Sequence, residues 1–242
     1  MDKTIGIFGG GQLGRMMAQA ALPLNIQCSF FEAETDCPAA ILGPVFSSKD
    51  PQALQAFIAS AEVFSLEFEN TPVADVDVLT QTKTLHPPRL ALATAQNRLA
   101  EKGLFDELAI PVAPYRAVDS LESLKQAVAE LGLPIVLKTV TGGYDGKGQF
   151  VLRSEDQIDT AWAELGPAKS LIAESFVKFS REVSIIAVRG QDGDVKTWAL
   201  AENHHHNGIL SHSIVPAPNS TDLQPVAQDY ITRLLNHLYY VG

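Results

Sequence analysis

The thirteen residues from Leu137 to Gln149, LKTVTGGYDGKGQ, join an apolar strand ending in lysine to a loop with four glycines, and this constrains the fold most. Leu133 to Leu137 reads as a buried strand, so Lys138 leaves the sheet with its stem packed and its ammonium held over a pocket. Gly142, Gly143, Gly146 and Gly148 permit positive φ and carry no Cβ, so successive backbone N–H groups can converge on phosphate oxygens. Lys147 adds a point charge. A tight β-hairpin needs only about two turn residues, whereas this loop is longer and carries Tyr144 and Asp145 at its tip. The Walker pattern G-x-x-x-x-G-K-[ST] is absent from the sequence.

The run TGGYDGKGQ from Thr141 to Gln149 resembles the nucleotide-covering loop of the ATP-grasp enzymes, specifically the 5-(carboxyamino)imidazole ribonucleotide synthases of purine biosynthesis. Further stretches agree in order: GGGQLGRM from Gly9 to Met16, EFEN from Glu67 to Asn70, Asn97-Arg98-Leu99 with KGLF from Lys102, and NHHHNGIL from Asn203 to Leu210. The resemblance implies an α/β chain of ATP-grasp architecture, with an N-terminal Rossmann-like parallel-sheet (pre-ATP-grasp) domain and an α+β nucleotide-binding domain. The expected divisions are 1–88 for substrate binding, 89–119 as a helical linker, 120–182 as the small lid domain and 183–242 as an incomplete large domain. In the family, the acidic magnesium ligands follow the position of Gly242, so no metal ligand is expected within this chain.

Composition fits a globular protein, with 242 residues, 46% hydrophobic and 19% charged. A net charge of −10 argues against a nucleic-acid binder, and no apolar run is long enough for a membrane span. A cytoplasmic protein is expected. Cys28 and Cys37 are too few for a disulfide framework and lack metal-ligand spacing.

Along the chain, Thr4 to Phe8 reads as a strand, Gln12 to Leu22 as a helix stopped by Pro23, and Ile26 to Phe31 as the next strand. Asp50-Pro51 reads as the start of a helix through Ala61, before a strand from Val63 to Leu66. This alternation implies a parallel sheet covered by helices. Arg89 to Ala109 is rich in Ala and Leu and reads as one helix. Leu121 to Leu131 is a helix, Phe150 to Arg153 a strand, and Ser154-x-x-Gln157 a capping box opening a helix to Leu165. A strand from Ser170 to Glu174 follows. Glu182 to Val188 and Val195 to Leu200 read as a long antiparallel hairpin, and Leu223 to Leu238 as the last helix.

Gly9-x-Gly11-x-x-Gly14 after a strand also fits the dinucleotide fingerprint, with Glu32 or Glu34 as the ribose carboxylate; its physical content is a helix N-terminus open to an anion. The resemblance assigns Gln12 and Leu13 to the ribonucleotide instead. Glu67 and Glu69 alternate at a strand end, and the resemblance favours Glu69 as the partner of substrate hydroxyls or amine. It implies that Arg98 meets nucleotide phosphate and that Lys138 holds the α- and β-phosphates. The covering loop would be Gly143, Tyr144, Asp145, Gly146, Lys147, Gly148 and Gln149. Glu174, Ser175, Phe176 and Val177 would bind adenine, Glu182 the ribose hydroxyls, and His205 the nucleotide. Neighbouring His204, His205 and His206 in an extended strand point to alternate faces, which disfavours a metal site.

The resemblance thus implies an enzyme using ATP and Mg2+ to carboxylate 5-aminoimidazole ribonucleotide with bicarbonate through carboxyphosphate. Tyr144, Asp145 and Lys147 would act on the reacting groups, in a homodimer. The alternatives are another ATP-grasp ligase or carboxylase and a catalytically inactive ATP-binding fragment, with a dehydrogenase more distant.

Overall fold

The computed structural model describes residues 3–142, 148–166, 170–206 and 208–242. The amino-terminal stretch alternates strand and helix: β1 (Lys3–Phe8), α1 (Gln12–Ala21), β2 (Ile26–Glu32), β3 (Val45–Ser47), α2 (Ala53–Ala59), β4 (Val63–Leu66), α3 (Val73–Leu79), β5 (Thr84–Leu85) and α4 (Arg89–Ala95). Its strands form one parallel sheet in the order β3-β2-β1-β4-β5. Helical crossovers demand parallel pairing, and parallel strands must be covered on both faces. One face is therefore closed by aromatic packing, with Phe57 edge-on to Phe8 and Phe64 at centroid distances of 5.1 Å each. Each such buried ring contributes about 1.5–3 kcal/mol. Gly6 lies beside them because a Cβ there would strike the Phe64 ring. Ile7, Phe30, Ala18 and Ala39 close the opposite face.

The remaining elements are α5 (Arg98–Glu107), β6 (Tyr115–Val118), α6 (Leu121–Leu131), β7 (Ile135–Thr139), β8 (Gln149–Leu152), α7 (Ile158–Leu165), β9 (Leu171–Ser175), β10 (Glu182–Ser184), β11 (Ala187–Arg189), β12 (Val195–Thr197), β13 (Ala201–His206), β14 (Ile209–Ile214) and α8 (Leu223–His237). β6-β9-β7-β8 is an antiparallel sheet. Ile135, Leu137, Leu171 and Ala173 pack with Leu124, Ala127, Val128, Ile158 and Ala161 of α6 and α7. With a side-chain period of two, Val136, Lys138, Ile172 and Glu174 are turned to the other face. The chain divides into two compact units, Met1–Ala93 with Leu238–Gly242, and Thr94–His237. Among the described residues no helix is long and apolar enough to cross a membrane. Cys28 is buried and Cys37 half-buried, and both are free thiols.

Four local expectations need correction. The helix expected from Arg89 to Ala109 breaks at Gln96 and Asn97, where Asn97 becomes the N-cap of α5 and its Oδ1 accepts from Leu99 N and Ala100 N, each at 3.0 Å. Helix propensity favours continuation, but an asparagine that can satisfy the orphan N–H groups of a new helix competes with it. Asp50 does not cap α2: its Oδ1 accepts from Gln52 N at 2.9 Å in a turn, and the helix begins at Ala53. Gln157 Oε1 accepts from Arg153 N at 2.8 Å rather than from Ser154, so no reciprocal box forms there. The long hairpin divides: β11 pairs with β12, whereas β10 pairs with β13 in a separate sheet with β14.

Candidate functional site

Within the second unit, β7 and β9 are neighbours with Val136 opposite Glu174 and Lys138 opposite Ile172. Lys138 and Glu174 therefore share the face away from α6 and α7. Lys138 Nζ lies 3.0 Å from Glu174 Oε2, and Lys102 Nζ of α5 reaches the same oxygen at 3.6 Å. Glu174 is only 8% exposed, so a buried carboxylate is held by two ammonium groups. Losing one cation leaves the other in place; losing the carboxylate leaves two like charges facing each other. Glu101 lies close by, and burial raises its carboxyl above the ordinary range, partly opposed by Lys102 and Arg98 and reinforced by Glu174.

The exit of β7 is held by Arg98. Its backbone N–H donates to Val140 O at 3.0 Å, and its Nη1 donates to Thr139 O at 2.9 Å and to Gly142 O at 2.6 Å. Thus the first residue of α5 fixes the point where the strand becomes the glycine loop. Gly142 and Gly148, on either side of that loop, have φ of 69° and 71°, a region in which only glycine is at ease. Gln149 opens β8 and is exposed.

After Glu174 the chain runs through Ser175, which donates from its N–H to Pro114 O at 2.8 Å, and Phe176, which donates to Pro134 O at 3.1 Å. Phe176 and Val177 are largely exposed, and the Arg153 guanidinium stands 5.7 Å from the Phe176 ring. This is an extended segment with apolar side chains beside a charged cluster, suited to a flat heterocycle.

A second cluster lies on the β10-β13-β14 sheet, where Glu182 is opposite Asn203. His205 Nδ1 lies 3.8 Å from Glu182 Oε1, and Asn203 Nδ2 donates to Ser184 Oγ at 3.0 Å while its Oδ1 accepts from Ser213 Oγ at 2.8 Å. His204 takes the opposite face, stacked on His212 at 4.6 Å with its Nε2 3.2 Å from Glu202 Oε1. The alternation expected for consecutive histidines holds for His204 and His205.

In the first unit, Gly9 to Gly11 form the turn into α1, and Gly14 lies within the first turn of that helix. Gln12 and Leu13 are exposed at its start. Glu67 and Glu69 do not alternate along a strand, because β4 ends at Leu66; Glu69 is exposed in the following turn, where Asn70 Nδ2 donates to its Oε1 at 3.4 Å. A crevice of about 170 Å3 at the carboxyl ends of the strands is lined by Gly9, Glu32, Ser48, Phe68, Thr71 and Asp75, and burial raises the Asp75 carboxyl above the usual range. Such crevices at the switch point of an open parallel sheet are where this topology takes ligands.

The ATP-grasp domain model matches residues 103–242, and the ribonucleotide synthetase preATP-grasp domain model matches residues 1–96. The N5-carboxyaminoimidazole ribonucleotide synthase of Brucella melitensis is 43% identical over 99% of this chain and 67% of its own length. The chain belongs to the N5-carboxyaminoimidazole ribonucleotide synthase family of ATP-grasp proteins. Among solved structures, an ADP complex of a synthetase of this family superposes with a TM-score of 0.93 and 41% identity, covering 100% of this chain and 64% of that one. The Aspergillus clavatus synthase in complex with ADP and 5-aminoimidazole ribonucleotide gives a TM-score of 0.88 at 26% identity, over 100% and 64%. The chain thus spans about two thirds of the length of these relatives.

Within this family member the structure brings Lys138 and Glu174 together, and separately Glu182 and His205. Gly143, Tyr144, Asp145, Gly146 and Lys147 lie outside the described residues. Asn97, Lys102 and Asn203 stand in the motifs that carry the resemblance, but sequence reasoning assigned none of them a role. Lys102 had a usable signal, since it follows Arg98 by one helical turn. Asn203 precedes His205 by two in a strand and shares its face.

Proposed function

We propose that this chain carries nucleotide and ribonucleotide sites for ATP-dependent carboxylation of 5-aminoimidazole ribonucleotide with bicarbonate, giving N5-carboxyaminoimidazole ribonucleotide, ADP and phosphate. The observation that carries the reading is Lys138, presented on a ligand-facing strand at the mouth of a glycine loop and held by Glu174. On nucleotide binding, the phosphates compete for the Lys138 ammonium, and Glu174 with the backbone of Ser175, Phe176 and Val177 meets the adenine. Glu182 accepts from the ribose hydroxyls, as a carboxylate suits two vicinal donors. His205 and Arg98 complete the nucleotide contacts, with Gly148 and Gln149 closing the loop.

In the proposed reaction a bicarbonate oxygen attacks the γ-phosphorus and ADP leaves. The exocyclic amine then takes the carboxyl carbon of carboxyphosphate, releasing phosphate and a proton. Carboxyphosphate hydrolyses in water, so a cover is needed; Tyr144, Asp145 and Lys147 on the loop are assigned to it. Gln12, Leu13 and Glu69 are assigned to the ribonucleotide. Mg2+ would accompany ATP, but among the described residues no three His, Cys, Asp or Glu side chains converge on a point, so no step is drawn through the metal. Within the second unit we place the boundary between lid and large domain after Glu182. A cytoplasmic homodimer completes the proposal.

The test is phosphate release from MgATP. Release that requires both bicarbonate and 5-aminoimidazole ribonucleotide is expected. ATP binding without turnover would favour the second reading, an ATP-binding piece.

A further inference from the structure

The turn into α1 has the glycine spacing of an anion site, and a carboxylate of the chain itself occupies it. Gly11 N–H donates to Glu67 Oε2 at 2.7 Å and Leu13 N–H donates to Glu67 Oε1 at 3.1 Å, from positions 56 and 54 residues away. Beside them, Gly10 N–H donates to Glu32 Oε2 at 3.0 Å and Gly9 N–H to Phe31 O at 2.9 Å. Gly11 is the N-cap of α1, its residue type offers no capping side chain, and the first turn contains no acid. Glu67 therefore performs the capping from another strand end.

The steric pattern points the same way. A Cβ at Gly11 would lie 2.5 Å from Glu67 Oε1; one at Gly9 would strike Glu67 Oε2; and one at Gly14 would lie 2.9 Å from Gly9 O and 3.1 Å from Glu67 Oε2. All three glycines of the G-x-G-x-x-G pattern thus leave room for one carboxylate. Glu67 N–H donates to Phe8 O at 2.9 Å, a bond of the last β1–β4 pair, Phe8 with Leu66, so the end of the sheet fixes the backbone that carries this side chain.

We propose that Glu67 is the resident anion of the amino-terminal glycine loop: a positioning residue that caps α1, sets the presentation of Gln12 and Leu13, and closes this helix end to phosphate groups. The dinucleotide reading of the motif fails here because a pyrophosphate would have to displace a fixed carboxylate of the same sign. The phosphate of any ribonucleotide bound by this unit is accordingly held away from the α1 N-terminus.

The experiment compares wild type, Glu67→Ala and Glu67→Gln by thermal unfolding and by the amide resonances of Gly11 and Leu13, with formate, inorganic phosphate or chloride at equal ionic strength. Glu67→Ala is expected to melt several degrees lower. Formate, and not chloride, should restore its melting temperature and return both resonances towards their wild-type positions. Phosphate should move the two resonances in Glu67→Ala and leave them unmoved in wild type. A general structural role of the side chain would not produce rescue by a small carboxylate. Phosphate shifting the pair equally in wild type and variant overturns the proposal, as does a Glu67→Ala protein that melts and resonates like wild type. Should Glu67→Ala not fold, Glu67→Gln keeps the volume and one acceptor: it should melt lower and shift one of the two resonances, and an unchanged Glu67→Gln protein also overturns the proposal.

Discussion

The two glycine loops of this chain have similar composition and opposite electrostatics. Gly9 to Gly14 close on the carboxylates of Glu67 and Glu32, which take the N–H groups of Gly10, Gly11 and Leu13. The loop after β7 is entered beside Lys138 and Lys102, with Arg98 bonded to the carbonyls of Thr139 and Gly142. Glycine spacing therefore specifies close backbone approach, and the neighbouring side chains decide what approaches. In a chain of net charge −10, anion binding has to come from such local cationic groups.

The largest effect that separates the two loops is expected from Lys138→Met. Loss of a charged hydrogen bond to phosphate should weaken ATP binding by about 10- to 100-fold in calorimetry, while Glu67→Gln leaves that affinity unchanged. Equal losses would erase the distinction. Next comes Glu174→Gln, which removes the shared partner of Lys138 and Lys102. Partial exposure of the lysines moderates the cost, and a destabilisation of about 2 kcal/mol is expected in urea unfolding.

The glycines sharpen the contrast further. Gly11→Ala drives a Cβ onto the Glu67 carboxylate and should cost about 1–3 kcal/mol by overpacking. At Gly142 an added Cβ meets nothing within 4 Å, but φ is 69°, so Gly142→Ala should cost only about 1–2 kcal/mol of backbone strain. Urea midpoints of the two variants check the order, and a neutral Gly11→Ala would contradict the steric account.

Glu101 gives the smallest effect and a pH signature. Burial raises its folded pKa, so the folded state prefers the protonated acid. Its favourable contribution is present in acid, below the unfolded pKa, and is lost as pH rises through the folded value. Glu101→Gln should therefore raise the melting temperature near neutrality, with the gain vanishing in acid; a gain that grows in acid would reverse the assignment.

Much of this was legible because local pattern and tertiary environment agree. β4 spans Val63–Leu66 and α6 spans Leu121–Leu131 as read, the latter fixed by Ser120 and Ser123 capping each other. Lys138 was singled out from an apolar strand leading into glycines, and Glu174 only from the family resemblance of its segment; that β9 sets Glu174 opposite Val136, with its carboxylate at Lys138, is seen only in the fold. Non-local partners were not legible. β10 leaves the expected hairpin because its partner is β13, a pairing no local alternation encodes. Glu67 read as one acid of a strand-end pair, since nothing near it in sequence reveals that it caps α1. Lys102 read only as the first residue of the KGLF motif, since nothing local reveals that β9 brings Glu174 to it.

The central claim is that the lysine-flanked loop, and not the carboxylate-filled one, receives the nucleotide. Calorimetric titration of the chain with MgATP, alongside Lys138→Met and with NADH as the competing ligand, tests it most directly. The account predicts one ATP site, lost or greatly weakened in Lys138→Met and indifferent to NADH. NADH binding with no heat from ATP, or ATP binding untouched by Lys138→Met, would contradict it.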